Sequence, residues 1–316
     1  MRISFIGAGK LARKRSEQLA GRNDVTILGY VGKGEARAKE LAAVYKAKAY
    51  GCLADLLDDS PDGVVICTPC DTHSKLIDAA LESGIHAFAE YPFAFKDAEL
   101  SSLFSKATEK HLMVGIGCDH LETMTQLREF VAKLGTVFSA YHDGFFGTSS
   151  KEKWYWDFQQ SGGTWMLWGI DQIASLCHLL GRVRSVHSKR TCAFGHDDLS
   201  EAVNAMLEFH SGAVGVIQTT IHAPGYFMSL RIVGSEGSID CRHSAGGAPF
   251  VVKARGGKET SEIPVVGNGK RLDIDSWLDS IDSGKNCLMT PEDIAHWHLV
   301  AYACQESQKT GQTVRL

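Results

Sequence analysis

The sequence has little that would hold it on a nucleic acid or in a membrane. Its 33 basic and 37 acidic residues are scattered, give a net charge of −4 and form no basic run. Binding to a phosphate backbone or to anionic lipid needs clustered cations, so we expect neither partner. No apolar segment approaches the ~20 residues of a membrane span, and no apolar stretch follows a basic leader. We therefore expect a cytoplasmic protein.

Cysteine is present without the pattern of a disulfide scaffold or a metal site. The nine cysteines are an odd number without dense spacing, which favours reduced thiols. The CTPC string at residues 67–70 has redox or half-zinc spacing, but it has no second CxxC or HxxxH partner and follows a strand-like run. His296 and His298 are two apart on a helix and point to different faces. We expect no metal, and CTPC is best explained as a strand end and turn.

The N-terminal third alternates short apolar runs with helical stripes. With 316 residues at 44% hydrophobic, the chain exceeds the usual size of a single core, so we expect two domains. Strands are predicted at residues 3–7, 25–31, 64–67, 86–89 and 112–116, with helices between them. This alternation predicts an α/β domain with a doubly wound parallel sheet over residues 1–117.

The pattern changes near Gly117. One helix carries Leu127, Phe130 and Leu134, and strand-like runs then follow one another at residues 183–191, 203–209, 213–220, 230–233 and 250–254. These predict an α+β domain over residues 118–316 with a large, mostly antiparallel open sheet. Two late helices are predicted, at residues 273–282 and from Pro291, and the last is the candidate for packing back on the first domain.

The string GAGKLA at residues 7–12 lies between the first strand and the first helix. Gly7 and Gly9 would allow a tight turn and the close approach of a pyrophosphate to the helix N-terminus, beside Lys10 and Leu11. In this strand–turn–helix context the string predicts dinucleotide binding. The alternative is a merely structural glycine turn.

The second strand should end in a carboxylate if the ribose 2′-hydroxyl is to be bound. It ends instead in Gly32 and Lys33, with Arg37 following. A small residue and positive charge suit a 2′-phosphate, so we expect NADP(H) to be favoured over NAD(H). The alternative is a lysine on a solvated turn.

Two longer segments resemble the Gfo/Idh/MocA oxidoreductase family. Residues 64–92 carry a TPNxxH-like turn and an EKP-like motif, and residues 154–181 look like the W…GGxLxDxGxHxID helix of the second domain. The resemblance implies an N-terminal Rossmann domain, a nicotinamide between the domains, and a C-terminal open sheet that supports homo-oligomers. It adds cofactor contacts from the two motifs, namely Thr68, Pro69, His73 and Glu90.

The chain departs from this family at each proton-handling group. Tyr91 stands at the lysine of EKP, Leu167 at the aspartate and Asp171 at the histidine of the second-domain helix. A leucine cannot take a proton, and a tyrosine with a reference pKa of about 10 is a neutral donor at pH 7. Ordinary sugar dehydrogenation by this set is therefore not expected.

One branch of the family, the biliverdin reductases, is similar at these positions. It carries EYP in place of EKP, and the strings CDHLETM (118–124) and KWYWDFQQ (153–160) resemble its EHxELL and W.Y..QQ. Reduction of a conjugated methine bridge needs a hydride and a proton but no deprotonated alcohol. We therefore expect an NADP(H)-dependent oxidoreductase that reduces a small conjugated acceptor such as biliverdin.

Candidate site residues follow from these motifs. The catalytic candidates are Tyr91, Glu90, His120 and Asp171. The substrate candidates are Trp154, Trp156 and Trp168, which could wall a flat aromatic pocket, and Gln172; Gln172 or its neighbours stand where biliverdin reductases place arginine. Each has a structural alternative: packing in a strand-end turn for Tyr91, helix capping for His120 and core packing for the tryptophans.

Two other functions remain open at this point. The chain could oxidise a sugar or cyclitol if Tyr91, Asp171 or His120 replaces the lost groups. It could also be a ligand sensor that binds dinucleotide without turning it over. Turnover with NADPH separates the enzymes from the sensor.

Overall fold

The computed structural model describes residues 1–107, 112–115, 121–147, 153–192, 202–221, 225–244, 251–256, 259–263, 273–285 and 289–316. The chain divides into two compact units, Met1–Ile116 with Asp273–Asp293, and Gly117–Leu272 with Ile294–Leu316. The late segment that groups with the first unit is therefore Asp273–Asp293, whereas the sequence had suggested the last helix. Within the described ranges, no helix is long and apolar enough to cross a membrane.

The first unit is built on a parallel sheet. Its strands are β1 (Arg2–Ile6), β2 (Thr26–Val31), β3 (Lys48–Ala49), β4 (Gly63–Ile66), β5 (His86–Glu90) and β6 (Leu112–Gly115). The order is β3-β2-β1-β4-β5-β6 and every pairing is parallel. The helices are α1 (Lys10–Ala20), α2 (Glu35–Tyr45), α3 (Leu53–Asp58), α4 (His73–Glu82), α5 (Asp97–Lys106) and α9 (Asp273–Ser283). The predicted doubly wound sheet is confirmed.

The strands of this sheet form because they can be buried on both faces. Ile3, Phe5, Val64 and Val65 are fully buried, as expected for strands covered by helices on each side. Helix α9 supplies part of that cover: Trp277 is fully buried, and its ring lies 5.6 Å from that of Phe88. Helix α9 is thus part of the core of the first unit.

The second unit is built on a larger, mixed sheet. Its strands are β7 (Val137–Phe146), β8 (Val183–Thr191), β9 (Ala202–Phe209), β10 (Val214–Thr220), β11 (Tyr226–Gly234), β12 (Gly237–Ser244), β13 (Val251–Gly256), β14 (Glu259–Ile263) and β15 (Val314–Arg315). The order is β14-β13-β12-β11-β7-β10-β9-β8-β15. Only the pairing of β7 with β10 is parallel among those described. The expected mostly antiparallel sheet is confirmed, although β7, β12, β14 and β15 had not been predicted.

The two faces of this sheet differ. Along β7, Ala140 and His142 are buried while Tyr141 between them is 52% exposed. The helices of this unit are α6 (Leu121–Val131), α7 (Phe158–Ser161), α8 (Ile170–Leu180) and most of α10 (Pro291–Thr310). Helix α8 packs on β7 and β10 through a stripe that includes Ile173 and Leu176. One face therefore forms the core, and the other carries exposed side chains.

Helix α10 buries two histidines whose ring nitrogens bond to backbone groups. His296 Nε2 accepts a hydrogen bond from the Val183 amide at 2.9 Å, and His298 Nδ1 donates to the Ile294 carbonyl at 2.8 Å. Burial lowers the pKa of His298 to about 4. The folded chain therefore holds His298 neutral over a range in which an unfolded chain would protonate it.

This burial predicts a pH-dependent stability. Because the folded pKa of about 4 lies below the unfolded value, the stabilisation is present above about pH 6.5 and is lost as the pH falls toward 4. Between pH 7.5 and 4, urea unfolding followed by tryptophan fluorescence should show wild type losing on the order of 3 kcal/mol more than His298→Gln. The exposed His210 provides the control, since His210→Gln should keep the wild-type slope. If the free energy of unfolding changed equally with pH in all three proteins, buried neutral His298 would not be the cause of the pH dependence.

Candidate active site

The glycine turn after β1 is packed so tightly that its first residue must be glycine. Gly7 has φ +112°, and a Cβ there would lie 2.4 Å from the Cys67 carbonyl oxygen at the end of β4. The Gly7 amide donates to the Val31 carbonyl at 2.7 Å, at the end of β2. The turn thus joins the carboxyl ends of three neighbouring strands, where open α/β sheets bind ligands.

Gly9 has a different role in the same turn. It is the N-cap of α1, and within the described chain no side chain caps that helix. A Cβ at Gly9 would meet no described atom within 4 Å. Backbone N–H groups of the first turn, beside the exposed Lys10 and Leu11, are therefore positioned to bind an anion.

Positive charge follows the end of β2. Gly32 lies against the Ala8 amide, and Lys33 and Arg37 are exposed. Both carboxylates of α2 are already paired, Glu40 with Arg13 at 2.6 Å and Glu35 with Lys39, whose bond lowers the pKa of Glu35. Neither carboxylate is therefore committed to Lys33 or Arg37.

The EYP turn at the end of β5 is anchored at each of its three residues. Glu90 is buried and accepts a hydrogen bond from Arg15 Nε at 2.7 Å. The half-buried Tyr91 has its carbonyl 3.8 Å from the Cys70 thiol, and the Tyr91–Pro92 peptide is cis. The Pro92 carbonyl accepts from His73 Nδ1 at 2.8 Å. The backbone of Tyr91 is therefore fixed on both sides.

His73 supports this turn from inside the protein. It is 1% exposed, and its ring lies between two carbonyls, with Nδ1 2.8 Å from that of Pro92 and Nε2 2.9 Å from that of Thr68, of which a neutral ring donates to one at a time. Burial lowers its pKa, opposed by the bonds to the two carbonyls. His73, expected as a cofactor contact, thus joins the loops after β4 and β5. Thr68 and Pro69 in the first of these loops are half-buried.

The CTPC string forms part of the same loop. Burial raises the pKa of both the Cys67 and the Cys70 thiols, so neither is prepared to ionise near neutral pH. Among the residues described, no group of three or more histidines, cysteines or carboxylates could hold a metal. Cys67 directly follows β4 and Cys70 begins a single 3-10 turn, so the string is a strand end and turn in this structure.

The second unit contains a small cavity of about 10 Å³ next to an irregular helical turn. Residues Trp165–Gly169 form a single π-helical turn before α8, a feature that is rare and often occurs at functional sites. The lining consists of Tyr155, Trp156, Gly163, Thr164, Leu167, Trp168 and Ile221. Leu167, which the sequence resemblance aligned with the family's aspartate, is thus one of the walls of an apolar cavity.

Aromatic rings form one side of this cavity. The Trp168 ring stacks on Phe146 at 4.9 Å and lies 6.3 Å from Tyr155, which in turn is 4.1 Å from Trp154. Trp154, Trp156 and Trp168 are all half-buried. The structure therefore brings the three predicted tryptophans close together, and Trp156 and Trp168 line the cavity.

The remaining predicted residues lie in different surroundings. Asp171 is half-buried, one helical turn after Leu167. Gln172 is fully buried: its amide donates to the His142 and Gln218 carbonyls at 2.9 and 3.1 Å, and its oxygen accepts from Thr219. It ties α8 to β7 and β10 and offers no group to a substrate, so we do not retain it as a substrate contact. His120 lies outside the described residues.

Two residues that the sequence analysis did not select join the site. Arg15 is 4% exposed and bonds to both Glu90 and Asp273. The signal was present in α1, whose buried residues Ala12, Arg15, Ser16 and Leu19 recur at helical spacing. An arginine on a buried helix face requires charged partners. No local pattern identifies Asp273, which is 258 residues away.

Comparison with known proteins gives the family. The model described as "Oxidoreductase family, NAD-binding Rossmann fold" matches residues 1–118, and the "GFO/IDH/MocA C-terminal domain" model matches residues 124–240. Together they cover most of the chain.

Individual relatives are more distant. The chain is 23% identical to "Myo-inositol 2-dehydrogenase" of Thermotoga maritima, over 100% of this chain and 98% of that protein. It is 30% identical to "UDP-N-acetylglucosamine 3-dehydrogenase" of Acidithiobacillus ferrooxidans, but this match spans 43% of the chain and 42% of the relative.

Among solved structures, the fold is similar to that of GenD2 from gentamicin A biosynthesis in complex with NAD. The TM-score is 0.88 at 20% identity, and the match covers 100% of this chain and 96% of that one. At this identity the likeness shows the fold alone. With both of its domain models matched, the chain belongs to the GFO/IDH/MocA oxidoreductase family and is an NAD(P)-dependent oxidoreductase.

Proposed function

We propose that this oxidoreductase uses NADPH to reduce a small conjugated acceptor. The observation that carries the proposal is Leu167, which the sequence resemblance aligns with the family's aspartate and which lines a small apolar cavity beside the π-helical turn. Oxidation of an alcohol requires a group that removes the hydroxyl proton, and a leucine cannot do so. Reduction of an electron-poor double bond has no such requirement.

The chemistry balances without the missing groups. The dinucleotide, when bound, supplies a hydride. The acceptor takes that hydride at an electron-poor carbon, and one proton comes from solvent or from a nitrogen of the acceptor itself. Tyr91, held in place by the anchored turn, donates a hydrogen bond that orients the acceptor. No residue of this chain then needs to hold an alkoxide.

The coenzyme proposal rests on the glycine turn and on the positive charges that follow β2. Gly9 and the uncapped α1 suit a pyrophosphate. Lys33 and Arg37, beside carboxylates that are paired elsewhere, suit a 2′-phosphate. NADP(H) is therefore the favoured coenzyme, although the similar solved structure named above contains NAD.

The aromatic side chains of the cavity favour a flat substrate. Trp168, Tyr155 and Trp154 present ring faces and edges within a few ångströms of one another. Stacking of a ligand ring on such side chains contributes about 0.5–1.5 kcal/mol of binding free energy per pair, beyond the contribution of buried apolar area. Biliverdin, to which the EYP motif points, is the first acceptor to test.

A second candidate is a sugar or cyclitol dehydrogenase. It is favoured by the similarity to an inositol dehydrogenase over the full length of the chain. In that case Asp171, half-buried and one turn after Leu167, or His120 would have to remove the hydroxyl proton, with Tyr91 at the lysine position. Activity on a polyol distinguishes this candidate from the first.

We also propose that the exposed face of the second sheet forms a homo-oligomer. Tyr141 pairs with Val216 and Val216 with Met206 across β7, β10 and β9, so the three form one row on that face. Tyr141 and Met206 are 52% and 53% exposed. A row of this kind suits a self-complementary interface, and sedimentation of wild type beside Met206→Glu would test it.

Replacement of glycine by alanine should have different effects at the two glycines of this turn. Gly9→Ala should leave thermal stability unchanged but weaken NADPH binding about tenfold or more, because the new Cβ meets no described protein atom and occupies space that a pyrophosphate needs. Gly7→Ala should lower the melting temperature, since its Cβ collides with Cys67. Thermal shift and fluorescence titration measure both. Unchanged NADPH affinity in Gly9→Ala would argue against this pyrophosphate site.

The charges after β2 predict a coenzyme preference. NADPH should bind more tightly than NADH, and Lys33→Asp should reduce that preference several-fold, because opposing charge at one exposed contact is worth about 1 kcal/mol. Titration with each coenzyme measures the ratio. Lys189→Asp makes the same charge change on an exposed strand residue of the second sheet and should leave the ratio unchanged. Equal affinities for NADPH and NADH in wild type would refute the assignment.

The proposed reaction predicts a minor effect at Tyr91. Wild type should consume NADPH with biliverdin in a single turnover, and Tyr91→Phe should lose less than about tenfold in rate, the value of one hydrogen bond. Loss of an essential general acid would cost about a hundredfold or more. Tyr45→Phe, at the end of α2, removes a hydroxyl from a half-buried tyrosine without an assigned role and is the matched control.

Substrate controls complete this test. Inositol and glucose should give negligible NADP reduction between pH 7 and 10. A polyol oxidised at about 1 per second or faster would select the second candidate. No turnover with either class of substrate would favour the sensor interpretation.

A further inference from the structure

Arg15 is a buried cation that the proposed reaction does not use directly. It lies in the middle of α1, the helix that begins at the glycine turn, and is 4% exposed. Its guanidinium carbon lies 5.0 Å above the Phe88 ring. Phe88 is two residues before Glu90 on β5, so the arginine lies along the end of that strand.

The guanidinium joins three elements. Nε donates to Glu90 on β5 at 2.7 Å, while Nη1 and Nη2 donate to the two oxygens of Asp273 at 2.7 and 2.8 Å. Nη1 also donates to Gln18 at 3.1 Å. Although burial alone would lower the pKa of Arg15, the charges of Glu90 and Asp273 raise it well above its usual value. Arg15 is therefore a fixed cation between two carboxylates.

We propose that Arg15 is a positioning residue for Tyr91. By holding the Glu90 carboxylate, it fixes the end of β5 against α1 and α9, and the next residue along the chain is Tyr91. His73 holds Pro92 on the other side of the same turn. This inference rests on the role proposed above for Tyr91 but assigns a new function to a residue that need not contact either substrate.

Lysine cannot replace arginine in this arrangement. Arg15 uses donors on all three guanidinium nitrogens, which point to Glu90 and to Asp273 in different directions. An ammonium group keeps the charge but donates from a single point and cannot reproduce the planar fork. Arg15→Lys therefore separates geometry from charge.

Arg22 supplies a matched control. It follows α1 and also anchors α9, through Asp275 at 2.8 Å and Asp279 at 3.4 Å, but within the described chain it makes no hydrogen bond to Glu90. If Arg15 serves only to anchor α9, then Arg15→Lys and Arg22→Lys should behave alike. If it positions the turn, the two variants should differ.

The experiment compares wild type, Arg15→Lys, Glu90→Gln and Arg22→Lys by two methods. Hydrogen–deuterium exchange of peptides covering residues 90–95 reports the order of the turn without any turnover. Kinetics with NADPH and the acceptor that wild type reduces report kcat and KM, and fluorescence titration reports the NADPH Kd. Glu90→Gln tests the same ion pair from the side of the turn, and it replaces Arg15→Lys if that variant is too unstable to purify.

We expect Arg15→Lys and Glu90→Gln to exchange at least about tenfold faster over residues 90–95 and to lose up to about tenfold in kcat, no more than Tyr91→Phe, while the NADPH Kd of Arg15→Lys stays within about threefold of wild type. Arg22→Lys should match wild type in all of these. Equal behaviour of Arg15→Lys and Arg22→Lys, or wild-type exchange in both Arg15→Lys and Glu90→Gln, would overturn the inference. If wild type reduces no acceptor, the proposed function fails, while the exchange comparison still decides the role of Arg15.

Discussion

The ion cluster of Arg15, Glu90 and Asp273 is the constraint on which the first unit depends. Each member is at least nine-tenths buried, so removal of one partner would leave an uncompensated charge in the core, at a cost of about 3–5 kcal/mol. The cluster requires α1, β5 and α9 to be in place together. Because Asp273 is 258 residues from Arg15, the core of the first unit is complete only when a late segment of the chain has docked. Trp277 on the same helix adds apolar burial against Phe88.

The parts of the structure that sequence could predict are those set by local pattern. Buried strands such as β1 and β4 are short apolar runs. The glycine turn could be predicted because Gly7 adopts φ +112°, a backbone conformation that only glycine adopts readily. The parts that sequence missed depend on distant partners. Strand β7 buries His142 on its core side, so its polar residues do not alternate as expected for a half-buried strand. Gln172 resembled a ligand contact, but its partners lie on two strands brought together only by the sheet.

The two units hold their candidate residues by different kinds of interaction. In the first unit, Tyr91 is fixed by hydrogen bonds and an ion pair that come from α1, α4 and the loop after β4. In the second unit, the cavity beside the π-helical turn is lined by rings and by Leu167, and its polar groups are few. An apolar, aromatic wall of this kind suits recognition of a flat group by shape. It suits a hydroxyl-rich sugar less well, because each hydroxyl would need a partner.

The ion cluster also bears on whether the protein catalyses a reaction or only binds a dinucleotide. Buried ion pairs contribute little net stability, and replacing them with apolar residues of similar volume is often neutral or stabilising. Fold stability alone therefore gives no reason for Arg15, Glu90 and Asp273 to occupy the core next to Tyr91. A requirement for the geometry of the EYP turn does give one, because the hydrogen bond proposed for Tyr91 forms only if that residue is held in place. A protein that only binds dinucleotide has no comparable need, and for that reason the cluster favours the reductase over the sensor.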